Sequence, residues 1–193
     1  HPDFWLRRRI AVPKAEPFEM PTASRAAMEG TGFAVVEGRE PSLLLDGVAL
    51  ITGEVARPTE FERGMGVHQA MRDGAWTPDP LIFDDQALIV HVRGRGLVVL
   101  TGCGHSGAVN ILRHAQAITG EPRIAALAGG LHLNGPAFEA TIPATVAALA
   151  EIGPAMIVPG HCTGFNATRA LVDAFPEQAV LNSVGTRYTI AAP

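Results

Sequence analysis

The sequence predicts a mixed α/β domain, and three observations support this. Two apolar runs, 87–92 and 97–100, flank Arg93–Gly96 and predict a β-hairpin. Strand-like and helical patterns then alternate to the end of the chain, as in a strand–helix–strand fold. Apolar residues make up 47% of the 193 residues, enough for a hydrophobic core. The alternating part is predicted as helices over 107–119, 137–151 and 165–174, and strands over 123–128, 155–158 and 179–183.

The first 80 residues carry weaker signals. Residues 3–9 predict a short helix, because Asp3 lies near its start and three arginines near its end, an order that suits the helix dipole. Three prolines in 10–30 predict a loop with one short helix after Thr22. Strands are expected over 32–36 and 48–52, and residues 53–80, rich in Gly, Pro and charge, are expected to form a long loop. The chain is interpreted as part of one domain, 1–193, from which the loop over 53–80 projects.

Composition excludes several classes of partner. The net charge is −4 and the one basic cluster is Arg7–Arg9, so a nucleic-acid surface is not expected. No apolar run reaches the roughly 18–20 residues that a membrane span needs. Cys103 and Cys162 are too few for a disulfide scaffold, so reduced thiols in a cytoplasmic protein are expected.

Three apolar runs each end in a glycine-containing turn that carries a histidine. The three residues are His105, His132 and His161. Because the carboxyl ends of parallel strands share one edge of a sheet, the three side chains are expected at one site. Neutral imidazole is a common metal ligand. His105 and His161 are therefore predicted metal ligands, and His132 is predicted to be a ligand or to contact the substrate in catalysis.

The remaining polar candidates are less specific. Ser106 and Gly107, and likewise Thr163 and Gly164, precede predicted helices, whose first amides attract phosphate or carboxylate, so these four are predicted substrate contacts. The alternative for Ser106 and Thr163 is ordinary helix capping. Asp85 is a candidate ligand or base, whereas structural roles are expected for four other residues: His68, Asp84, His91 and His114.

Two other sites use the cysteines. Cys103, His105, His161 and Cys162 could form a Cys2His2 metal site, although the Cys-x-His and His-Cys spacings do not match common zinc motifs. Alternatively, Cys103 could be a nucleophile activated by a histidine and a helix start.

Several segments together resemble the metallo-β-lactamase-fold superfamily. Within it they are most similar to the branch of 7,8-dihydropterin-6-methyl-4-(β-D-ribofuranosyl)aminobenzene-5′-phosphate synthases. The segments are Thr52–Val55, Phe61–Gly64, Pro80–Leu88, Leu97–Asn110, Gly129–Leu133, Pro159–Gly164 and Asn182–Arg187.

The resemblance implies an αββα sandwich with a metal site, expected to hold zinc, on its rim. It implies that His105 and His161 are ligands and that His132 stands where the superfamily has a bridging aspartate. The superfamily's His-x-His-x-Asp-His run does not occur in this sequence. The chain is therefore expected to be the C-terminal part of such a domain, inactive alone, with an exposed sheet face that favours homo-oligomers.

The function that the resemblance implies is that of a metal-dependent hydrolase or ribosyl-phosphate transferase. Its expected small-molecule substrate is a pterin or aminobenzene ribosyl-phosphate. The alternative is a non-catalytic ligand-binding module without a complete metal site.

Overall fold

A computed structural model describes all residues, His1–Pro193, as two β-sheets flanked by helices. The strands are β1 (Arg8–Ile10), β2 (Phe18–Glu19), β3 (Ser42–Leu44), β4 (Ala49–Ile51), β5 (His68–Arg72), β6 (Ala75–Pro78), β7 (Ala87–Val92), β8 (Gly96–Thr101), β9 (Ile124–Gly130) and β10 (Ile157–Gly160). The α-helices are α1 (Arg25–Gly30), α2 (Ala108–Thr119), α3 (Pro136–Glu139), α4 (Ile142–Ile152) and α5 (Phe165–Ala174). The mixed α/β prediction is confirmed.

The larger sheet has six strands in the order β10-β9-β8-β7-β4-β3. β7 and β8 form the predicted antiparallel hairpin, with Ile89 opposite Val99. β8, β9 and β10 run parallel. Their carboxyl ends therefore lie at one edge of the sheet, where the three histidine turns begin.

The main core lies between this sheet and the helices. Helix α2 buries the face that its 3.6-residue period predicts, with Val109, Leu112 and Ala115 fully inaccessible. Leu112 and Ala115 belong to a core layer that also includes Ile89, Val99, Leu127, Leu149 and Leu171. Tight packing of this layer holds the strand ends, and hence the turns, in fixed positions.

The opposite face of the sheet is less well covered. Its apolar side chains line a cavity of about 380 Å³, closed partly by Tyr188 and Ile190 of the C-terminal segment. Leu100 on this face remains 39% exposed. The C-terminal segment therefore covers this face only in part.

The smaller sheet corrects two predictions. It has the order β2-β1-β5-β6 and is antiparallel. The predicted helix over 3–9 is a 3-10 turn at Pro2–Trp5 followed by strand β1. The predicted loop over 53–80 contains the hairpin β5–β6, which turns at Asp73-Gly74 with positive φ at both residues. Asp-Gly at such a turn is a recognised hairpin signal that the charge and glycine content of the segment obscured.

Three further predictions need correction. Residues 32–36 form no strand, and near 179–183 the only pairing is a single bridge between Ile157 and Ala179. The helix predicted over 137–151 is divided into α3 and α4. Pro143 has no N–H to donate and would disrupt the interior of one continuous helix, whereas in the first turn of α4 the missing N–H costs nothing. None of the helices is long and apolar enough to cross a membrane.

Candidate functional site

The three glycine–histidine turns meet along the carboxyl edge of the larger sheet. His105 follows β8, His132 follows β9 and His161 follows β10. The rings of His105 and His132 lie with centroids 4.4 Å apart at an interplanar angle of 87°. His161 lies close enough to His132 for its charge to lower the pKa of His132. The structure thus brings the rings of His105 and His132 into contact, and His161 lies near His132. A metal role for them stays a prediction.

Two of these histidines have a strained backbone. His132 has a φ of 48° and His161 a φ of 49°, in the left-handed region that side chains other than glycine seldom adopt. The surrounding contacts hold this conformation. The Thr163 hydroxyl donates to the carbonyl of Gly160 at 2.7 Å and accepts from the amide of Leu131 at 3.2 Å. Backbone strain of this kind is concentrated at functional sites.

His68 extends the cluster, although the sequence predicted only a structural role for it. Its side chain comes from β5 of the smaller sheet, and its ring centroid lies 6.3 Å from that of His105. It is 3% exposed, and neither ring nitrogen has a hydrogen-bond partner. A turn at Gly66–Val67 precedes His68, but no apolar run comes before it to predict the end of a buried strand. Its position follows only from the packing of the two sheets.

Asp85 is the carboxylate of the site. Its Oδ2 accepts a hydrogen bond from the backbone amide of Ser106 at 2.8 Å. Its negative charge raises the pKa of both His105 and His132 against the effect of burial. Asp84, by contrast, forms an ion pair with the buried Arg8 at 2.6 Å, and Asp79 pairs with the same arginine at 2.7 Å. Asp84 therefore has the expected structural role, although it is paired with an arginine and not solvated.

Burial favours the neutral form of His68, His105 and His132. It lowers the pKa of His105 to about 4, with Asp85 opposing the shift, and it also lowers the pKa of His68 and His132. At neutral pH the rings therefore carry free lone pairs. His132 Nδ1 is buried without a hydrogen-bond partner. Neutral, unpartnered imidazole nitrogens are the form that binds metal ions.

Cavities open on both sides of the His105–His132 pair. One has a volume of about 200 Å³ and is also lined by Phe61, Arg63 and Phe138. The other has a volume of about 500 Å³ and is lined by polar and apolar side chains, among them Arg8, Met20, Met65, His68, Ile82, Asp85 and Cys103. A small molecule in either cavity would contact both rings.

The structure revises the predicted anion site at the start of α2. The Glu62 carboxylate accepts hydrogen bonds from the amides of Val109 at 2.9 Å and Asn110 at 2.7 Å. Burial raises the pKa of Glu62, and these bonds oppose the shift. Since the Glu62 carboxylate already accepts these two amides, they are not free for a substrate anion, and the substrate contact of Ser106 and Gly107 stays a prediction. Ser106 is 1% exposed and holds Asp85 through its amide.

The second predicted anion site is more open. Gly164 is the N-cap residue of α5, and no side chain caps the first turn of this helix. The Thr163 hydroxyl is engaged within its own turn, so the backbone after Gly164 is the part that remains available. Gly164 has a φ of 83°, and a Cβ there would lie 2.8 Å from the Cβ of Asn134.

The cysteines lie together beside His161. Cys103 Sγ is 3.0 Å from His161 Nε2, and Cys162 Sγ donates to the carbonyl oxygen of Cys103 at 3.1 Å. The ligand atoms of the three residues all lie within 4.8 Å of one another. His105 is outside this group, so the four-residue Cys2His2 arrangement is not formed. Burial raises the pKa of Cys103 to about 11, which is the opposite of an activated nucleophile.

Comparison with known proteins agrees with the fold and the motifs. No family model matches the chain. Over 154 residues it is 30% identical to 7,8-dihydropterin-6-methyl-4-(β-D-ribofuranosyl)-aminobenzene-5′-phosphate synthase of Methanocaldococcus jannaschii, which covers 78% of this chain and 51% of that protein. The chain therefore spans about half the length of this curated relative.

A solved structure gives the same result for the fold. The chain superimposes on Tm1679, a metal-dependent hydrolase of the β-lactamase superfamily, with a TM-score of 0.78 and 26% identity over 96% of this chain and 68% of the other. The predicted fold class is confirmed.

Proposed function

The chain belongs to the metallo-β-lactamase-fold superfamily, and from this we propose that it carries the rim histidines of a metal-dependent hydrolase or ribosyl-phosphate transferase. The observation that carries the proposal is the pair His105–His132, in ring contact, kept neutral by burial and open to two cavities. A neutral histidine pair at a strand-end edge combines metal-binding capacity with access for a substrate.

The side chains at this edge fit a divalent metal ion. His132 Nδ1 and both ring nitrogens of His68 are buried without partners, a state that costs free energy unless a ligand satisfies it. In the proposed site His105 and His161 bind the ion, and imidazole nitrogen favours zinc among the common divalent ions. When bound, the ion would act as a Lewis acid toward a phosphate or carbonyl oxygen or lower the pKa of bound water.

The chain's own residues supply the remaining chemistry. His132 is the proposed catalytic residue, because its ring is neutral and its Nδ1 is free to accept a proton or to hold the substrate by a hydrogen bond. Asp85 is a positioning residue, fixed by the Ser106 amide and favouring the protonated state of His132 once a proton arrives.

A phosphorylated small molecule is the proposed substrate. The Thr163–Gly164 turn offers the uncapped start of α5, a position that suits a phosphate group. The 500 Å³ cavity has apolar walls, including Met20, Met65 and Ile82, that suit an aromatic ring system. The compound in the name of the M. jannaschii synthase contains both a pterin and an aminobenzene ribosyl-phosphate, and we propose that the substrate of this chain is a pterin or an aminobenzene ribosyl-phosphate.

The alternative is a ligand-binding module without catalysis. It is supported by the sequence, which contains no His-x-His-x-Asp-His run to complete the metal site. In that case the cavities would bind the phosphorylated ligand, and the histidines would not assemble a competent centre.

The two functions differ in the effect of single histidine substitutions. We expect the full-length protein to contain metal by elemental analysis and to hydrolyse or transfer a ribosyl-phosphate ester, with His105→Ala and His161→Ala each losing metal and activity, whereas this chain alone is expected to be inactive. His91→Ala is the matched control, because His91 lies on β7 with its side chain 55% exposed, away from this edge. Retention of both metal and activity in the two site variants contradicts the proposal. Ligand binding without turnover in the metal-loaded protein favours the module.

A further inference from the structure

The two cysteines are not explained by the histidine pair, and they lie beside His161. Cys103 is in the turn after β8, whereas His161 and Cys162 are in the turn after β10. These strands are separated by β9, so they are roughly 10 Å apart within the sheet. The convergence of the three side chains therefore needs a special arrangement at the end of β9.

That arrangement is a pair of glycines. A Cβ at Gly130 would overlap the carbonyl oxygen of Gly102 and lie 2.9 Å from the carbonyl oxygen of Cys103. Gly129, with a φ of 127°, could not carry a side chain without overlapping Thr101. Because β9 ends without side chains, the turn that carries Cys103 lies over the strand end and reaches the turn after β10.

The resulting distances suit coordination. In a tetrahedral zinc site, Zn–S bonds of about 2.3 Å and Zn–N bonds of about 2.0 Å place ligand atoms roughly 3.5–3.8 Å apart. Here Cys103 Sγ and His161 Nε2 are 3.0 Å apart, and all three ligand atoms lie within 4.8 Å. Shifts on the order of 1 Å, within reach of side-chain rotation, would complete the geometry. His161 is exposed and both cysteines are half-buried, so an ion can enter from solvent.

We propose that Cys103, His161 and Cys162 bind a thiophilic divalent cation such as Zn²⁺, with the fourth position open to solvent. Two thiolates and one imidazole form a donor set that zinc favours, and three protein ligands with an open position are the pattern of catalytic zinc. Binding forms two metal–sulfur bonds and one metal–nitrogen bond and releases the two thiol protons to solvent, without oxidation or reduction. The site shares His161 with the proposed function, and because His161 Nε2 faces Cys103 Sγ, an ion bound here uses a nitrogen that is then not available to the ion bound by His105.

The chain allows an unambiguous spectroscopic test. It contains two cysteines in all, so any thiolate-to-metal charge-transfer band must arise from Cys103 and Cys162. Titration of the reduced protein with Co²⁺ under anaerobic conditions should give an intense near-ultraviolet band that saturates at one equivalent, and Zn²⁺ should remove it by displacement. Zn²⁺ should also protect both thiols from alkylation.

The variants assign the ligands. Cys103→Ser, Cys162→Ser and His161→Ala should each weaken Co²⁺ binding at least tenfold and reduce or remove the band, whereas His91→Ala should leave it unchanged. If a variant fails to fold by circular dichroism, alkylation of the wild-type protein with and without Zn²⁺ decides the question. Absence of the band, equal labelling of both thiols with and without Zn²⁺, or a disulfide that forms in the presence of Zn²⁺ would overturn the site.

The substitution His105→Ala separates this inference from the proposed function. Loss of activity in His105→Ala with the band retained supports both. Retained activity in His105→Ala together with the band overturns the function but supports the thiolate site. Loss of activity in His105→Ala while wild-type protein shows no thiolate band overturns the thiolate site alone.

Discussion

Glu62 and Gly107 are in direct contact at the start of α2, where a Cβ on Gly107 would overlap the Glu62 carboxylate. The carboxylate receives the amides of Val109 and Asn110 and so caps the helix from a distant loop. A second bond joins the helix to the same loop, because the Asn110 side-chain oxygen accepts a hydrogen bond from the amide of Thr59 at 3.0 Å. The loop from Thr59 to Glu62 is thus attached to the helix that follows the His105 turn.

Removal of this cap should destabilise the protein. Glu62→Ala leaves two amides at a half-buried helix start without an acceptor, so we expect the free energy of unfolding to fall by about 1–2 kcal/mol. Chemical denaturation measures the change. Glu60→Ala, two residues away and exposed, is the control and should change stability by less than about 0.5 kcal/mol. Equal effects of the two substitutions would refute the capping role.

The buried histidines should make the protein sensitive to acid. In the folded protein the pKa of His105 is about 4, against about 6.5 in an unfolded chain. Between these values the unfolded state binds more protons, so stability falls as pH falls from about 6.5 to about 4, by roughly 1–3 kcal/mol from His105. His68 and His132, whose pKa values burial also lowers, act in the same direction.

Unfolding free energies measured in urea across this pH range check the expectation. His105→Gln should reduce the slope of stability against pH, and His91→Ala, at an exposed position, should not. A slope that is the same in wild type and His105→Gln would show that carboxylates alone cause the acid loss.

His68 should limit stability in the absence of a ligand. Both of its ring nitrogens are buried without partners, so His68→Leu should raise the free energy of unfolding by about 1 kcal/mol in metal-free protein. The same change removes an imidazole from the wall of the 500 Å³ cavity and should weaken metal or ligand binding there. Stability gained at the expense of binding is the pattern expected of a functional side chain.

His114→Leu is the matched control. Its ring nitrogens contact the amide of Ala56 at 3.4 Å and the carbonyl of Thr52 at 3.3 Å, so the substitution removes bonds that exist and should destabilise. A loss of stability in His68→Leu as large as that in His114→Leu would mean that His68 has partners after all.

Local patterns predicted the parts of the fold with strong periodicity. Helix α5 spans Phe165–Ala174, as its amphipathic spacing predicted, and the hairpin β7–β8 has the predicted pairing. The smaller sheet was missed because its strands are short and only partly buried, as in Phe18–Glu19, where both residues are exposed. Strands of this kind depend on pairing with distant residues and leave little trace in the local sequence.

The candidate site divides in the same way. His105, His132 and His161 could be predicted because each follows an apolar strand at a glycine turn, and parallel strands end at one edge. The contacts that Glu62, His68 and Asp85 make could not be predicted, because the partners of each residue come from another part of the chain. Asp85 was a candidate from the sequence, but its hydrogen bond with the Ser106 amide was not foreseen. The grouping of His161 with Cys103 and Cys162 also depends on where β9 ends, which requires the sheet register.

The end of β9 provides the last prediction. Gly130→Ala places a methyl group against the carbonyl oxygens of Gly102 and Cys103, so the turn that carries Cys103 must move away from the strand. We expect a loss of about 1–3 kcal/mol of stability from this overpacking and a weaker thiolate band with Co²⁺, because Cys103 moves relative to Cys162 and His161. Gly102→Ala is the control, since a Cβ there meets no atom within 4 Å and its φ is not positive. The control should keep both stability and the band, and a Gly130→Ala protein that also keeps both would show that the two turns do not depend on a side-chain-free strand end.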